Sequence, residues 1–267
     1  MGKIYDSARS FARARVLDVI SMFAKPGPYI YILGGHMANW HHDNESDGLR
    51  FGRLLDELSN CCDLVNFEKA VELIVTGQKV HKSTVAFTFD DGWRDCYTQL
   101  APQLEKHGIN GAFFVNPNAA DAIDNNNTEY VRRFTNITTL CPGKVPMGWT
   151  DIKDLKNRGF VIGAHTMDHF LTAKNNPKEL NYQIKVCKNV IEERLDAACD
   201  YFAWPYGRLE HTSPYAIDLA CKYYKYVFSQ SNERRYLSCD GRVINRRHFE
   251  PFWPVNHVKF FLSLSRF

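Results

Sequence analysis

The sequence predicts a single α/β domain built on a parallel sheet, and three observations carry that prediction. Short apolar runs rich in β-branched and aromatic residues alternate with runs of helical period, the pattern that produces a parallel sheet covered by helices. The residues best suited to chemistry stand directly after the apolar runs, where loops leave the strands. The length, 267 residues, suits one domain of this kind.

Taken in order, Pro28 to Leu33 reads as a first strand running into Gly34-Gly35-His36. Asn60 to Gly77 reads as a helix with Leu64, Val65, Val71, Ile74 and Val75 on its apolar side. Val85 to Phe89 is a buried strand stopped by Gly92. Cys96 to His107 is helical despite Pro102 and ends at Gly108; Gly111 to Val115 is the next strand. Asn116 to Met147, rich in Asn, Thr and Pro, is expected to be a long loop beside the strand ends. A short helix from Thr150 to Gly159 leads into the run Phe160 to Ala164. The clearest helix starts at Asn176, with Pro177 at its first position and Glu179 three residues after the cap, and runs to about Leu195. Tyr201 to Trp204 is strand-like and broken by Pro205, and a helix near Ser213 to Lys222 precedes Tyr226-Val227-Phe228. The apolar stretch Val258 to Leu264 is expected to pack on the domain, with a subunit interface or a membrane surface as the alternatives.

Composition excludes more than it assigns. Lys and Arg number 33 against 30 Asp and Glu, a net charge of +3. That is too mild for nucleic-acid binding, and no basic helix with interleaved aromatics appears. Eight cysteines include no C-x-x-C pair, which reads as free thiols in a reducing compartment. Met1 to Lys25 lacks the apolar core of a secretory signal, and no run is long enough to span a bilayer, so the expected location is cytoplasmic.

The chemistry gathers at Thr88-Phe89-Asp90-Asp91-Gly92. Two carboxylates where an apolar strand emerges need compensation, and a bound cation supplies it. Neighbours on an extended segment point to opposite sides, which allows Asp90 and Asp91 separate roles. His165-Thr166-Met167-Asp168-His169 follows another strand, with its two histidines spaced for one face of a helical turn. Asp91, His165 and His169 give two nitrogens and one carboxylate oxygen, the set of a catalytic divalent metal. Zinc suits it best, with nickel, cobalt or iron also fitting. A third run, Tyr201-Phe202-Ala203-Trp204, ends in Pro205-Tyr206-Gly207.

With those three segments together, in order, the chain resembles the polysaccharide deacetylase family over roughly residues 28–250, within one domain spanning 1–267. The family motifs T-F-D-D-G, H-[ST]-x-x-H and P-Y-G stand at Thr88 to Gly92, His165 to His169 and Pro205 to Gly207. The resemblance implies an irregular seven- or eight-stranded (β/α) barrel and a metal-dependent removal of N-acetyl groups from amino sugars. It implies Asp90 as general base, Asp91, His165 and His169 as metal ligands, and the Tyr206 N–H as an oxyanion donor. The family's usual C-terminal histidine motif is not evident, since His248 and His257 stand in other surroundings. The chain resembles instead the permuted members, which makes His36 the expected general acid, with His41 and His42 as rivals. Many members place an arginine where this chain has Ala203. Arg246 or Arg247 is expected to replace it near Asp90, and both are candidate substrate-side residues. Tyr206, Pro205 and Trp93 are expected at the sugar, and Trp204 in the core. Without export, the expected substrate is a nucleotide sugar or glycan intermediate of surface-polysaccharide synthesis. A deformylase, a non-sugar amidohydrolase and an inactive carbohydrate-binding relative are the competing readings, and the oligomeric state is left open.

Overall fold

Ten strands form one sheet in the computed structural model, which describes residues 15, 24–40, 45–138, 144–174 and 176–267. They are β1 (Ile30–Gly35), β2 (Cys62–Leu64), β3 (Ser83–Phe89), β4 (Gly111–Val115), β5 (Val161–Ala164), β6 (Tyr201–Ala203), β7 (Tyr226–Ser229), β8 (Leu237–Ser238), β9 (Val243–Asn245) and β10 (Arg247–His248). The order is β10-β1-β3-β4-β5-β6-β7-β9-β8, with β2 an extra partner of β3. Every pairing is parallel except β8 with β9. Only Arg246 separates β9 from β10, so the strand that leaves β7 arrives beside β1 and the sheet returns on itself. The result is an irregular (β/α) barrel with seven positions: β1, β3, β4, β5, β6, β7 and the β9–β10 stretch.

Alternation along the strands divides the apolar residues into two cores. Ile30, Ile32, Ala86, Ala112, Phe114, Val161, Ala203, Phe228 and Ile244 point inward, where the helix Phe67–Val75 adds Phe67, Ala70 and Val71. Their neighbours Tyr31, Leu33, Phe87, Phe113, Ile162, Phe202, Val227 and Val243 point outward and pack under the surrounding helices. Because the strands are parallel and in register, their carboxyl ends form one rim, with Gly35 beside Phe89 and Val115 beside Ala164.

Most expected elements form. Asn176 caps its helix by accepting from the Glu179 N–H at 3.2 Å, and the run continues through Leu195 with one widened turn at Asn181–Val186. Pro102 is accommodated at the start of the helix Ala101–Lys106, after a widened turn at Cys96–Leu100. The C-terminal stretch is a helix, Val255–Leu262, that buries Val258 and Leu262 and is tied to β1 by Tyr31 Oη donating to Leu262 O at 2.9 Å.

Two readings are corrected. Asn60 to Gly77 is not one helix: Cys62–Leu64 pairs with β3, and the helix begins at Phe67. Asn66 breaks the run, because its extended backbone lets its side chain accept from Asn110 N–H at 3.0 Å while Asn110 Oδ1 caps Phe67. The expected loop from Asn116 to Met147 contains two helices, Pro117–Asp124 and Thr128–Thr138. Its Asn, Pro and Thr residues start helices as readily as they make loops; Asn127 accepts from the Tyr130 N–H at 3.0 Å. Among the described residues no helix is long and apolar enough to cross a membrane. His41 and His42, the rival acids, lie outside the described residues, as does most of the Met1–Lys25 stretch.

Candidate active site

The inward alternation continues past the strand ends and builds the site. After the inward apolar residues come, at every second position, Gly34 and His36, Thr88 and Asp90, Asn116, Gly163 and His165, Pro205, Gln230, and Arg246 and His248. The polar groups therefore converge above the inner core, at a cavity of about 240 Å³ lined by His36, Asp90, His165, Tyr206, Gln230 and His248 among others. A larger cavity of about 580 Å³, lined by Ala122, Ile123 and Val131 among others, lies away from these groups; chemistry rather than size selects the smaller one.

Asp91, His165 and His169 meet as expected. All three are buried, and Asp91 Oδ1 lies 3.3 Å from His165 Nε2 and 3.2 Å from His169 Nε2. That oxygen is buried without a hydrogen-bond partner, and the ligand atoms of the trio lie within 4.8 Å of one another. A buried acceptor facing two imidazole nitrogens is the arrangement a divalent cation completes. His165 Nδ1 donates to Ala203 O at 2.8 Å, which leaves its Nε2 lone pair for a metal. His169 is held by packing between Tyr206 and Phe134, with ring centroids 4.7 and 6.4 Å away. The histidine segment is not a helical turn as expected. It is an irregular turn in which Thr166 and His169 take φ of 63° and 55°, while Asn116 Nδ2 donates to Thr166 O at 2.9 Å. Asp91 (69°) and Tyr206 (65°) share this left-handed conformation. Strain of this kind concentrates at functional sites.

Asp90 faces the other way and belongs to Arg246. The guanidinium donates to both carboxylate oxygens at 2.7 and 2.8 Å, to Thr88 Oγ1 at 2.9 Å and to Ser229 O at 3.1 Å. Burial pushes the Asp90 carboxyl up, but the charge and hydrogen bonds of Arg246 outweigh it and hold the group below its usual range. Arg246 is fully buried, so it is not a substrate contact; it holds the carboxylate. Arg247 points outward, as the next residue on an extended segment must, and lies over the Phe261 ring at 4.8 Å. It is not a site residue.

His36 stands across the cavity, and its partner escaped the sequence reading. His36 Nδ1 is 2.8 Å from Glu250 Oε1, and its backbone N–H donates to Glu250 Oε2 at 3.3 Å. Burial works against a charged ring, yet Glu250, with Asp91 and Asp90 behind it, raises the His36 pKa to about 10. His248, set aside on sequence grounds, lines the same cavity with Nε2 3.6 Å from Glu250 Oε1.

Trp93 is not a sugar platform. It is fully buried, and its Nε1 donates to Asp91 Oδ2 at 3.2 Å, turning Oδ1 toward the imidazoles. Pro205 is buried and shapes the turn rather than meeting a ligand. Tyr206 is 47% exposed at the mouth, and its backbone N–H makes no hydrogen bond among the described residues. Trp204 is core, as expected, with Nε1 donating to Arg208 O at 2.9 Å.

Fold and site together define a (β/α) barrel with a candidate mononuclear metal centre at the carboxyl rim. The family profile described as polysaccharide deacetylase matches residues 77–223, more than half of the chain, and the chain belongs to that family. The match takes in Asp90, Asp91, His165, His169 and Tyr206 and leaves out His36, Arg246 and Glu250. Among curated proteins, the chain is similar to the peptidoglycan-N-acetylglucosamine deacetylase of Bacillus cereus, 28% identical over 130 residues. That match spans 48% of this chain and 38% of the relative. The fold is shared with IcaB from Ammonifex degensii, at TM-score 0.65 and 20% identity over 90% of this chain and all of the other. It is also shared with the Streptococcus pyogenes deacetylase PplD in complex with acetate, at TM-score 0.64 and 17% identity, covering 86% of this chain and 96% of that one.

Proposed function

We propose that this protein is a metal-dependent hydrolase that removes N-acetyl groups from amino sugars. The observation that carries the reading is a division of labour around one cavity. Asp91, His165 and His169 would hold the metal, Asp90 stands ionised against Arg246, and His36 faces them with Glu250 behind it. A divalent metal in that position supplies Lewis acidity, polarising the acyl carbonyl and making water easier to deprotonate. Asp90 takes the proton as the water oxygen bonds to the acyl carbon. The Tyr206 N–H, which makes no hydrogen bond among the described residues, would donate to the resulting oxyanion. His36 gives its proton to the sugar nitrogen as the C–N bond breaks, because an amide anion is a very poor leaving group. Acetate and the free amine are the products.

The two departures from the family pattern, Ala203 and the missing C-terminal histidine motif, each have a counterpart. Arg246 reaches Asp90 from the β9–β10 stretch in place of an arginine at 203. His36 with Glu250 stands in place of the C-terminal histidine motif. A Cβ on Gly35, the residue before His36, would lie 3.1 Å from Phe249 Cε1 and from Pro251 Cδ, the residues flanking Glu250, so glycine suits this close approach.

The test is acetate release from a panel of peptidoglycan fragments, short N-acetylated glycans and nucleotide sugars, with bound metal measured in the same preparation. Asp90→Asn and His36→Ala are expected to lose turnover while keeping metal. Normal turnover in Asp90→Asn would end the catalytic assignment. The finer reading, a cytoplasmic nucleotide-sugar or glycan intermediate of surface-polysaccharide synthesis, stands or falls on the same panel. Release from peptidoglycan fragments alone would exclude it. Zinc is the expected metal, with nickel, cobalt or iron decided by the metal measurement.

A further inference from the structure

We propose that Gln230 is a positioning residue for the acid: its amide fixes the tautomer of His248, and His248 in turn aims Glu250 at His36. The proposal rests on the reading of His36 as general acid and adds residues that no sequence motif marks.

Gln230 follows β7, is 7% exposed and points into the barrel mouth. Its Nε2 donates to Gly34 O at 2.7 Å. A carbonyl only accepts, so the NH2 end of the amide is the end that faces Gly34. The same nitrogen lies 2.8 Å from His248 Nδ1, which must then be the acceptor nitrogen of that ring. Burial pushes the His248 pKa down, favouring the neutral ring with its single N–H on Nε2. That Nε2 is the atom 3.6 Å from Glu250 Oε1. Glu250 accepts from the His36 ring N–H at 2.8 Å and the His36 backbone N–H at 3.3 Å, and the His248 Nε2–H faces it at 3.6 Å, a polar contact longer than a hydrogen bond. The His248 dipole on that side favours the carboxylate orientation that His36 uses.

Gly34 suits the arrangement: a Cβ there would lie 3.1 Å from Gln230 Cδ, so the amide would have to give by a few tenths of an ångström. Gln230 also ties the two sides of the cavity together, because its backbone N–H donates to Gly207 O at 2.7 Å, in the turn that carries Tyr206. His36, His248 and Glu250 bring their ligand atoms within 4.8 Å, which invites a second cation. The tautomer argues otherwise, since a protonated His248 Nε2 has no lone pair to give.

The groups facing His36 are Glu250 and His248 from the β10 side and Asp90 and Asp91 from the end of β3. The experiment combines nitrogen-15 imidazole spectra of the metal-loaded protein with pH profiles of kcat. His248 is expected to show an unprotonated Nδ1 and a protonated Nε2 at neutral pH. Gln230→Met is expected to mix the two tautomers, to lower kcat about tenfold with metal content kept, and to move the alkaline limb of kcat to lower pH. His248→Leu should move the limb in the same direction, and His248→Gln, which retains an N–H donor, should restore it. A protonated Nδ1 on His248 in the unsubstituted protein overturns the proposal, as does an unmoved limb in both Gln230→Met and His248→Leu. If the unsubstituted protein releases acetate from nothing in the panel, the deacetylase reading fails, while the His248 spectrum still decides the Gln230–His248 hydrogen bond and the tautomer it sets.

Discussion

Arg246 and Asp90 form a pair whose two members cannot be removed separately without a large penalty. Both are buried and joined by two short hydrogen bonds, and stripping one partner from such a pair leaves an uncompensated charge that costs about 3–5 kcal/mol. Arg246→Met is therefore expected to destabilise the protein by about that amount in urea unfolding, and adding Asp90→Asn should recover part of it. The pH dependence has a definite sign. Asp90 is held below its unfolded value in the native state, so its contribution is full above the unfolded carboxylate pKa of about 4 and fades as pH falls through the folded value. Arg246→Met should lack that share of the acid-side loss; an identical acid-side slope in wild type and variant would refute the pairing. His36 behaves in the opposite sense. Its pKa is raised to about 10, so the acid form persists through neutral pH and the alkaline limb of kcat should fall near that value. Glu250→Gln removes the largest favourable charge and should bring the limb down toward the ordinary histidine range near 6.5. A limb that stays in place would move the acid role away from His36.

At the scale of elements, the legible parts were those written contiguously. Asp90-Asp91, His165 with His169, and Pro205-Tyr206-Gly207 each stand in one short segment after a strand. Glu250, Gln230 and the bracing role of Trp93 were not legible as motifs, because each acts through a neighbour from a distant segment. A signal did exist in the alternation. Ile244, Arg246, His248 and Glu250 fall on one parity of the chain, as do Phe228 and Gln230, and that parity is the barrel interior. Reading it forward separates Arg246 from Arg247. The missed helices between Pro117 and Thr138 had no such signal, since their starting residues are also those of loops. Gly163 gives this scale its prediction. A Cβ there would lie 2.5 Å from Phe114 Cδ1 and Cε1 and 3.1 Å from Tyr201 O, two residues before the ligand His165. Overpacking of that kind costs about 1–3 kcal/mol. Gly163→Ala is expected to lower the melting temperature and to weaken metal binding, because β5 must shift to relieve the clash. Wild-type stability together with wild-type metal affinity would show that the strand yields without moving His165.

For the whole molecule, the placement of the polar groups above an independent apolar core decides what the metal does for stability. The inner core from Ile30 to Ile244 and the outer layer under the helices close without any contribution from Asp91, His165 or His169. The rim depends on a cation differently, because Asp91 Oδ1 is buried with no hydrogen bond, and Asp91 itself, Thr166, His169 and Tyr206 all hold left-handed backbones. Chelation is therefore expected to leave the barrel folded while loosening the segments at 90–93 and 165–169. Amide hydrogen exchange should rise there and stay unchanged in β1, β3 and β4. Adding metal at a hundredfold excess over its dissociation constant should restore about 2.7 kcal/mol of stability by mass action. Binding should also release protons and weaken as pH falls, since imidazole ligands must be neutral, which calorimetry in buffers of different ionisation enthalpy measures directly. Global unfolding on chelation would contradict the layered arrangement, and exchange rates at 165–169 indifferent to metal would remove Asp91, His165 and His169 as its ligands.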